Sequence, residues 1–155
     1  MCNLSNILTR ISYNFTVEHV LIKNYTMKNL LIYPNSHHNT PVIDFKASGE
    51  LSLTGRSVSE KISEYYQPAI DWLTELMFYP PATIVFSIKL ECFNTKSSMI
   101  ILHILKMLEE IHSKRISKVK VNWIYEDDDT DMFESGNDYQ SLVKLPFKLL
   151  SLVDC

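Results

Sequence analysis

Two alternating segments separated by one amphipathic helix constrain the fold of this chain more than any other feature. Apolar and polar side chains alternate in residues 82–93, and residues 118–126 repeat the alternation around Trp123. Between these segments, apolar residues recur every three or four positions from Ile100 to Ile111, which is the period of an α-helix. The order strand, helix, strand predicts a parallel βαβ crossover. The side chains predicted to share the inner face of the first strand are Ile84, Phe86, Ile88, Leu90 and Cys92.

Weaker patterns on either side complete the fold prediction. Short strands are predicted at residues 30–33, 42–45 and 50–53, the last two joined by a hairpin at 46–49. A helix is predicted over residues 62–77, bent at Pro68 and capped by Ser57 or Ser59. Two short helical turns, near 132–136 and 139–143, precede a last strand at 147–150.

The alternation also predicts how the elements are layered. Parallel strands covered on both faces would be apolar throughout, whereas these strands are polar at every second position. We therefore expect a single two-layer α/β domain: a mixed sheet of about five or six strands with the main helices on one face. The domain is predicted to span residues 27–155. Residues 1–26 are weakly patterned and are interpreted as an N-terminal extension, either loose or a short helix.

Composition excludes several functional classes. A net charge of -3 argues against general nucleic-acid binding, which requires a basic surface. Cys2, Cys92 and Cys155 have the spacing of neither a disulfide framework nor a zinc knuckle, which fits a reducing, cytoplasmic location. No apolar run approaches the roughly 18 residues of a membrane span, so no membrane insertion is predicted. With three glycines the chain has no Gly-rich phosphate loop, and we predict no cofactor.

A polar turn at residues 94–98 is the best functional candidate. It follows the first alternating strand and leads into the central helix, which is predicted to begin near Ser97. A helix N-terminus offers unpaired N–H groups and a positive partial charge, so it accepts an anion such as a phosphoryl group on Thr95 or on a nearby serine. The alternative is that Asn94, Thr95, Ser97 and Ser98 merely cap the helix.

An acidic loop at residues 126–131 follows the second alternating strand. Asp127, Asp129 and Asp131 have the spacing of an EF-hand loop, but Met132 stands where that loop needs glycine, so the favoured interpretation is a solvated loop that caps the next helix. Because sites in open α/β sheets form at the carboxyl ends of strands, we expect this loop to lie near Thr95.

Other chemistry finds little support in the sequence. The five histidines have no convergent spacing for a metal, and no nucleophile signature is present, so an enzyme is not predicted. Two alternatives stay open. One is a small ligand- or nucleotide-binding module that uses the polar turn, and the other is a metal-assisted hydrolase that uses Asp127 to Asp131.

A docking surface is predicted beside the polar turn. Met99 and Leu102 fall on the polar arc of the central helix, where isolated apolar residues are often incidental. Next to a modification site, we interpret them instead as a place for a partner to bind. The predicted surface comprises Met99, Leu102, His103 and Lys106, together with Asp127 and Asp128 of the acidic loop.

Five ordered blocks resemble the SiaC-like family of bacterial regulatory phosphoproteins. They are LTGRS at 53–57, YQPAIDWL at 66–73, LECFNTKSS at 90–98, WIYEDD at 123–128 and DMFESG at 131–136. The resemblance covers about residues 27–150, and several blocks in order are far more specific than one motif. It implies a fold similar to that of the STAS-type anti-sigma-factor antagonists.

The resemblance also implies a regulatory function. Family members carry a phosphorylatable threonine in an Asn-Thr-Ser-Ser turn, matched here by Thr95. A serine/threonine kinase with a histidine-kinase-like ATP domain modifies it, and a PP2C-type phosphatase reverses the modification. The unmodified form binds and activates a diguanylate cyclase, which links the family to cyclic-di-GMP signalling and biofilm formation. Lys96 stands here where the family often has serine, a departure that bears on kinase recognition.

Overall fold

The computed structural model describes residues 26–153, and within that range the chain forms one six-stranded sheet and three helices. The strands are β1 (Leu30–Ile32), β2 (Val42–Phe45), β3 (Glu50–Ser57), β4 (Thr83–Phe93), β5 (Lys118–Glu126) and β6 (Phe147–Leu152). The helices are α1 (Ile62–Leu76), α2 (Thr95–Ser113) and α3 (Thr130–Leu142). No helix among the described residues is long and apolar enough to cross a membrane.

The strand order in the sheet follows the order in the chain. Strands β1 to β3 form an antiparallel meander, and β3 to β6 are parallel to one another, each pair joined through one helix. Every crossover moves one strand further in the same direction, so crossovers of the usual right-handed sense place all three helices on one face. Ile84, Phe86 and Ile88 are fully buried on that face, whereas Val85 and Ser87 between them are partly exposed. The predicted two-layer α/β domain is confirmed.

Helix α1 continues through Pro68, as predicted, and packs on the meander. The rings of Phe45 and Trp72 lie 5.5 Å apart, and Phe45 also meets Phe86 edge to face at 6.1 Å. The Trp72 indole N–H donates to the carbonyl of Lys28 at 2.7 Å, which attaches the segment before β1 to this helix.

The predicted cap of α1 is wrong. The residue preceding the helix is Lys61, which makes no side-chain cap, and Ser57 is instead the last residue of β3. The Ser59 hydroxyl accepts a hydrogen bond from the Lys61 N–H at 3.3 Å, which lies just before the helix and not within its first turn. Strand β3 is longer than predicted and continues through Gly55, whose φ of 107° is a left-handed conformation that glycine adopts without strain. The strand passes through a register shift there and continues to Ser57.

The same irregularity changes the face of the sheet on which Cys92 lies. Gly55 pairs with Leu90 but Arg56 pairs with Cys92, so one residue of β4 is left over. Beyond this bulge Phe93 turns to the helix-covered face, where its ring lies 6.1 Å from Trp123. Cys92 therefore lies on the opposite face from the one its alternation with Leu90 predicted.

Residues 130–142 form one helix instead of the two predicted turns. Gly136 and several weak helix formers favoured a break there, but tertiary packing explains the continuous helix. A Cβ at Gly136 would lie 2.4 Å from the Leu149 side chain and 2.5 Å from the Trp123 ring, so the glycine permits α3 to approach β5 and β6 closely. The predicted extension at residues 1–26 lies outside the described residues except for Thr26.

Candidate functional site

The polar turn forms the start of α2. Asn94 is the N-cap, in extended conformation, and its side-chain Oδ1 accepts a hydrogen bond from the Ser97 backbone N–H at 2.9 Å. The helix begins at Thr95, two residues earlier than predicted. The backbone N–H groups of Thr95 and Lys96 have no intrahelical acceptor, and no other described residue accepts from them. No acidic side chain occupies this first turn.

A buried cluster of three hydroxyl groups, from Ser57, Tyr66 and Ser97, holds the turn from below. The Ser97 hydroxyl donates to the Ser57 carbonyl at 2.6 Å, and the Ser57 hydroxyl donates to Ser97 Oγ at 2.8 Å. Because the Ser57 hydrogen is used, the Tyr66 hydroxyl must be the donor in its 3.1 Å contact with Ser57 Oγ. Burial raises the pKa of Tyr66 well above its usual range, so the hydroxyl stays protonated.

Two further hydrogen bonds connect the N-cap to the chain around β3. The Asn94 backbone N–H donates to the Ser57 carbonyl at 3.1 Å, and Asn94 Nδ2 donates to the Ser59 carbonyl at 3.3 Å. The start of α2 is therefore attached to the end of β3 through both backbone and side chains. Neither Ser57 nor Tyr66 was predicted to support the site, although both lie in blocks that carry the family resemblance, which is the signal that could have found them.

The three hydroxyl side chains of the turn differ sharply in accessibility. Thr95 is exposed at the first helical position, whereas Ser97 is fully buried in the hydroxyl cluster. Ser98 is half-buried, and its carbonyl accepts a hydrogen bond from the Tyr139 hydroxyl at 3.0 Å. Burial also raises the pKa of Tyr139. Of these three side chains, Thr95 is the most exposed and therefore the most accessible to an enzyme.

A groove of about 380 Å³ runs beside Thr95 between α1 and α2. We call it the α1–α2 groove. Its α2 wall includes Met99, which is 68 % exposed, and His103, while the Lys96 ammonium donates to the Glu60 carbonyl at 3.4 Å. The lining residues are Ser63, Tyr66, Gln67, Ile70, Lys96, Met99, Ile100 and His103.

The structure divides the predicted docking surface into two sides of α2. Met99 and His103 line the α1–α2 groove, but Leu102 is half-buried against the core. Lys106 lies on the side near α3, where its ammonium donates to the Leu142 carbonyl at 2.7 Å and pairs with Glu109 at 3.0 Å. Successive residues of a helix are about 100° apart, so the pair at 99 and 103 and the pair at 102 and 106 face different neighbours.

The acidic loop is held by its own hydrogen bonds. Asp129 caps α3 by accepting from the Met132 N–H at 3.0 Å, as the favoured interpretation predicted. Asp127 accepts from the Ser151 hydroxyl at 2.7 Å, and Glu126 pairs with Lys89 at 3.6 Å. These contacts lead to β6, α3 and β4, and none reaches the polar turn.

The acidic loop and the polar turn both lie at the carboxyl ends of parallel strands, but they line separate depressions. A shallow depression is bordered by Glu126, Asp128, Asp129, Thr130 and Asp131, with no residue of the turn. Between residues 26 and 153, no three His, Cys, Asp or Glu side chains are grouped so that they could hold a metal ion. A pocket that joins the two segments, which would favour the ligand-binding alternative, is not seen in the described part of the chain.

Comparisons with known proteins agree with one another. Residues 34–152 match the model of a family described as SiaC family regulatory phosphoprotein. An uncharacterized protein of Pseudomonas aeruginosa (strain UCBPP-PA14) is 27% identical over 113 residues, which are 72% of this chain and 88% of that protein. The crystal structure of apo-SiaC from Pseudomonas aeruginosa superposes with a TM-score of 0.71 at 26% identity, covering 80% of this chain and 99% of that one. A crystal structure of the diguanylate cyclase SiaD in complex with its activator SiaC, from the same species, matches with a TM-score of 0.71 at 25% identity, covering 79% and 99%.

Proposed function

The chain belongs to the SiaC family of regulatory phosphoproteins, and from this premise we propose that it is a binding protein controlled by phosphorylation of Thr95. In this proposal a serine/threonine kinase with a histidine-kinase-like ATP domain modifies Thr95, and a PP2C-type phosphatase restores the hydroxyl. The unmodified form binds an effector, a diguanylate cyclase, and the chain itself catalyses nothing.

The single observation that supports this proposal best is the contrast between Thr95 and Ser97. Thr95 is exposed on the first turn of α2, beside two backbone N–H groups that bond to no acceptor in residues 26–153, while Ser97 is buried in the hydroxyl cluster. A kinase must bring a side-chain hydroxyl in line with the γ-phosphoryl group of ATP, which requires access from solvent. The exposed threonine meets that requirement.

Phosphorylation should change the charge of the surface far more than the fold. Transfer forms an O–P bond at Thr95 Oγ1, releases ADP and displaces the hydroxyl proton, adding about -1.5 to -2 charges. The free N–H groups and the helix dipole favour an anion at this end, and the cationic Lys96 is adjacent. We expect the modified chain to keep its structure and stability.

Phosphorylation should instead weaken the binding of the effector. An effector that packs on Met99 and His103 in the α1–α2 groove covers the surface next to Thr95, so it would have to remove water from a phosphoryl group. That cost weakens the complex. Leu102, Lys106, Asp127 and Asp128 lie outside the groove, and their part in binding stays a prediction.

Phosphorylation mapping tests the proposed switch. The chain is incubated with its cognate kinase and ATP, the modified residue is identified by mass spectrometry, and the affinity for the purified cyclase is measured before and after. We expect modification of Thr95 and a loss of affinity. Thr95→Ala should bind the cyclase constitutively, and Ser98→Ala should behave as wild type. Modification at another residue, or unchanged affinity, contradicts the proposal.

The docking groove has its own test. Met99→Glu should weaken effector binding by about tenfold or more, because the effector would have to bury an unpaired carboxylate in the groove. Its melting temperature should hardly change, since the side chain is exposed. Phe78→Glu, at an equally exposed apolar residue outside the groove, is the matched control and should bind normally. If Met99→Glu unfolds the protein, Met99 belongs to the core.

The size of the α1–α2 groove favours one alternative, a small ligand- or nucleotide-binding module. About 380 Å³ falls within the usual range of ligand pockets, but the groove is open and excludes the acidic loop. Calorimetry with nucleotides, Mg²⁺ and Ca²⁺ distinguishes the functions. Binding of a nucleotide that Met99→Glu abolishes would favour the module, and metal binding that Asp127→Asn abolishes would favour the metal-assisted hydrolase.

A further inference from the structure

Strand β6 forms one edge of the sheet, and its outer side pairs with no described residue. Edge strands in proteins that stay monomeric are usually short, charged or interrupted by proline. Strand β1 at the opposite edge fits this rule, with three residues soon followed by Pro34. Strand β6 does not: it has six residues, Lys148 is its one charged residue, and Leu150 is 40% exposed.

The hydrogen bonds of β6 to β5 identify which backbone groups remain free. The carbonyl of Pro146 accepts from the Val121 N–H at 2.8 Å, and that of Leu152 accepts from the Asp127 N–H at 3.1 Å. The backbone N–H and C=O groups of the even-numbered residues of β6 therefore point towards β5, and those of the odd-numbered residues point outward, away from the sheet. The Phe147 carbonyl agrees, because it accepts from Gln140 Nε2 instead of from β5. Leu149 and Ser151 are left with outward N–H and C=O groups.

We propose that β6 pairs antiparallel with β6 of a second copy of this chain, about a twofold axis through Leu150. In this register Leu149 lies opposite Ser151 of the second copy, and their outward groups form four backbone hydrogen bonds around the axis. The two Leu150 side chains meet at the position between these bonds, where opposite Cα atoms are only about 4.5 Å apart. The two sheets become one continuous sheet across the interface.

Charge complementarity favours a second copy over an unrelated strand. The register sets Lys148 opposite Leu152 of the second copy, and Leu152 pairs within its own chain with Glu126. Two strand spacings separate Lys148 from that Glu126 by about 10 Å between Cα atoms, on the same face, a gap that both extended side chains bridge. Glu126 is available because its pair with Lys89 is solvent-exposed and of little strength. The twofold axis generates two such Lys148–Glu126 ion pairs in the dimer.

Sedimentation of the full chain over a wide range of concentration tests the interface. The wild type should show a reversible monomer–dimer equilibrium. Leu150→Lys places two like charges on the axis and should raise the dimer dissociation constant by more than about tenfold. Leu31→Lys is the matched control, since Leu31 is also an exposed leucine but lies on the other edge strand, and it should leave the equilibrium unchanged.

A charge swap tests the register. Lys148→Glu and Glu126→Lys should each weaken the dimer, and the double variant should restore it. Circular dichroism checks that every variant is folded, as expected for exposed positions. A wild type that is monomeric at all concentrations, or a dimer that survives Leu150→Lys, overturns the proposal. A double variant no stronger than the single ones overturns the register about Leu150.

Discussion

Helices α2 and α3 both begin where a parallel strand ends, yet their first turns handle charge in opposite ways. Helix α3 supplies its own negative charge, with Asp129 as the cap and Asp131 in the first turn. Helix α2 has a neutral cap, Asn94, and no acidic residue in its first turn. Both place an exposed threonine at the first helical position, Thr95 and Thr130. The positive end of α3 is already neutralised, whereas that of α2 remains free for an added anion.

The anchoring below the two turns differs as well. The third helical position of α2 is Ser97, which joins the hydroxyl cluster, and the same position of α3 is Met132, buried in the apolar core. A polar anchor is directional, so it fixes the orientation of the turn as well as its depth. We infer that the start of α2 is built to hold one geometry while its outer surface changes charge.

The largest expected effect comes from placing a charge in the polar anchor. Ser97→Asp places a carboxylate at a fully buried position and should reduce the free energy of unfolding by about 3 kcal/mol or more. Lys96→Asp, one residue earlier and exposed, reproduces the acidic residue that α3 carries at this position and should cost little. Urea denaturation of both variants measures the difference. Equal stability of the two would show that the hydroxyl cluster anchors nothing.

A second difference should appear at alkaline pH. Burial raises the pKa of Tyr66, so above about pH 10 the unfolded chain loses a proton that the folded chain keeps. The contribution of the protonated Tyr66 to the free energy of unfolding is fully present below about pH 10. It falls by about 1.4 kcal/mol for each further pH unit, up to the folded-state pKa. Tyr66→Phe should be less stable near neutrality by about 1 kcal/mol but flatter between about pH 10 and pH 11. Parallel slopes for the two proteins would contradict this.

The caps provide a smaller contrast. Asn94→Ala should lower the free energy of unfolding by about 1 kcal/mol, since the Ser97 N–H loses its acceptor. Asp129→Ala removes an equivalent bond but also relieves repulsion with the neighbouring aspartates, so it should cost less. Asn94→Asp, which makes the α2 cap resemble that of α3, should stabilise the chain. Thermal melts at low and high salt measure all three, and a destabilising Asn94→Asp would break the comparison.

The smallest effects compare the paired threonines. Thr95→Asp should leave stability unchanged or raise it by about 0.3 to 1 kcal/mol, because the charge meets an unneutralised helix end. Thr130→Asp adds to an acidic first turn and should lower stability slightly. Thr95→Asn and Thr130→Asn control for shape without charge. Stability changes of the same sign at both sites would show that the two helix ends do not differ electrostatically.

Local pattern was sufficient to predict most of the fold. The alternation in β4 and β5 predicted a sheet covered on one face, and apolar spacing carried the α1 prediction correctly through Pro68. These features were predictable because burial imposes its period directly on the residues that it covers.

Features that depend on distant contacts were not predictable. The burial of Ser97 depends on Ser57, 40 positions away, and no local pattern reports that pairing. The bulge that places Cys92 on the opposite face of the sheet depends on the pairing of β3 with β4. The continuity of α3 depends on the close packing of Gly136 against Trp123. The residues of the predicted docking surface lie on two sides of α2, because a helical wheel shows which residues leave the core but not which neighbouring helix they face. Their role in binding stays a prediction.

The matching of strand order to chain order bears on how the protein is made. Each new strand pairs with the strand that precedes it in the chain, so every strand after β1 finds a neighbour as soon as it is made. During synthesis the meander can assemble first, and each helix–strand unit can then dock on an existing edge. Loops to be closed stay short, which keeps the entropy lost at each step small. The sheet therefore grows in one direction, and the edge at which it grows is always the newest strand.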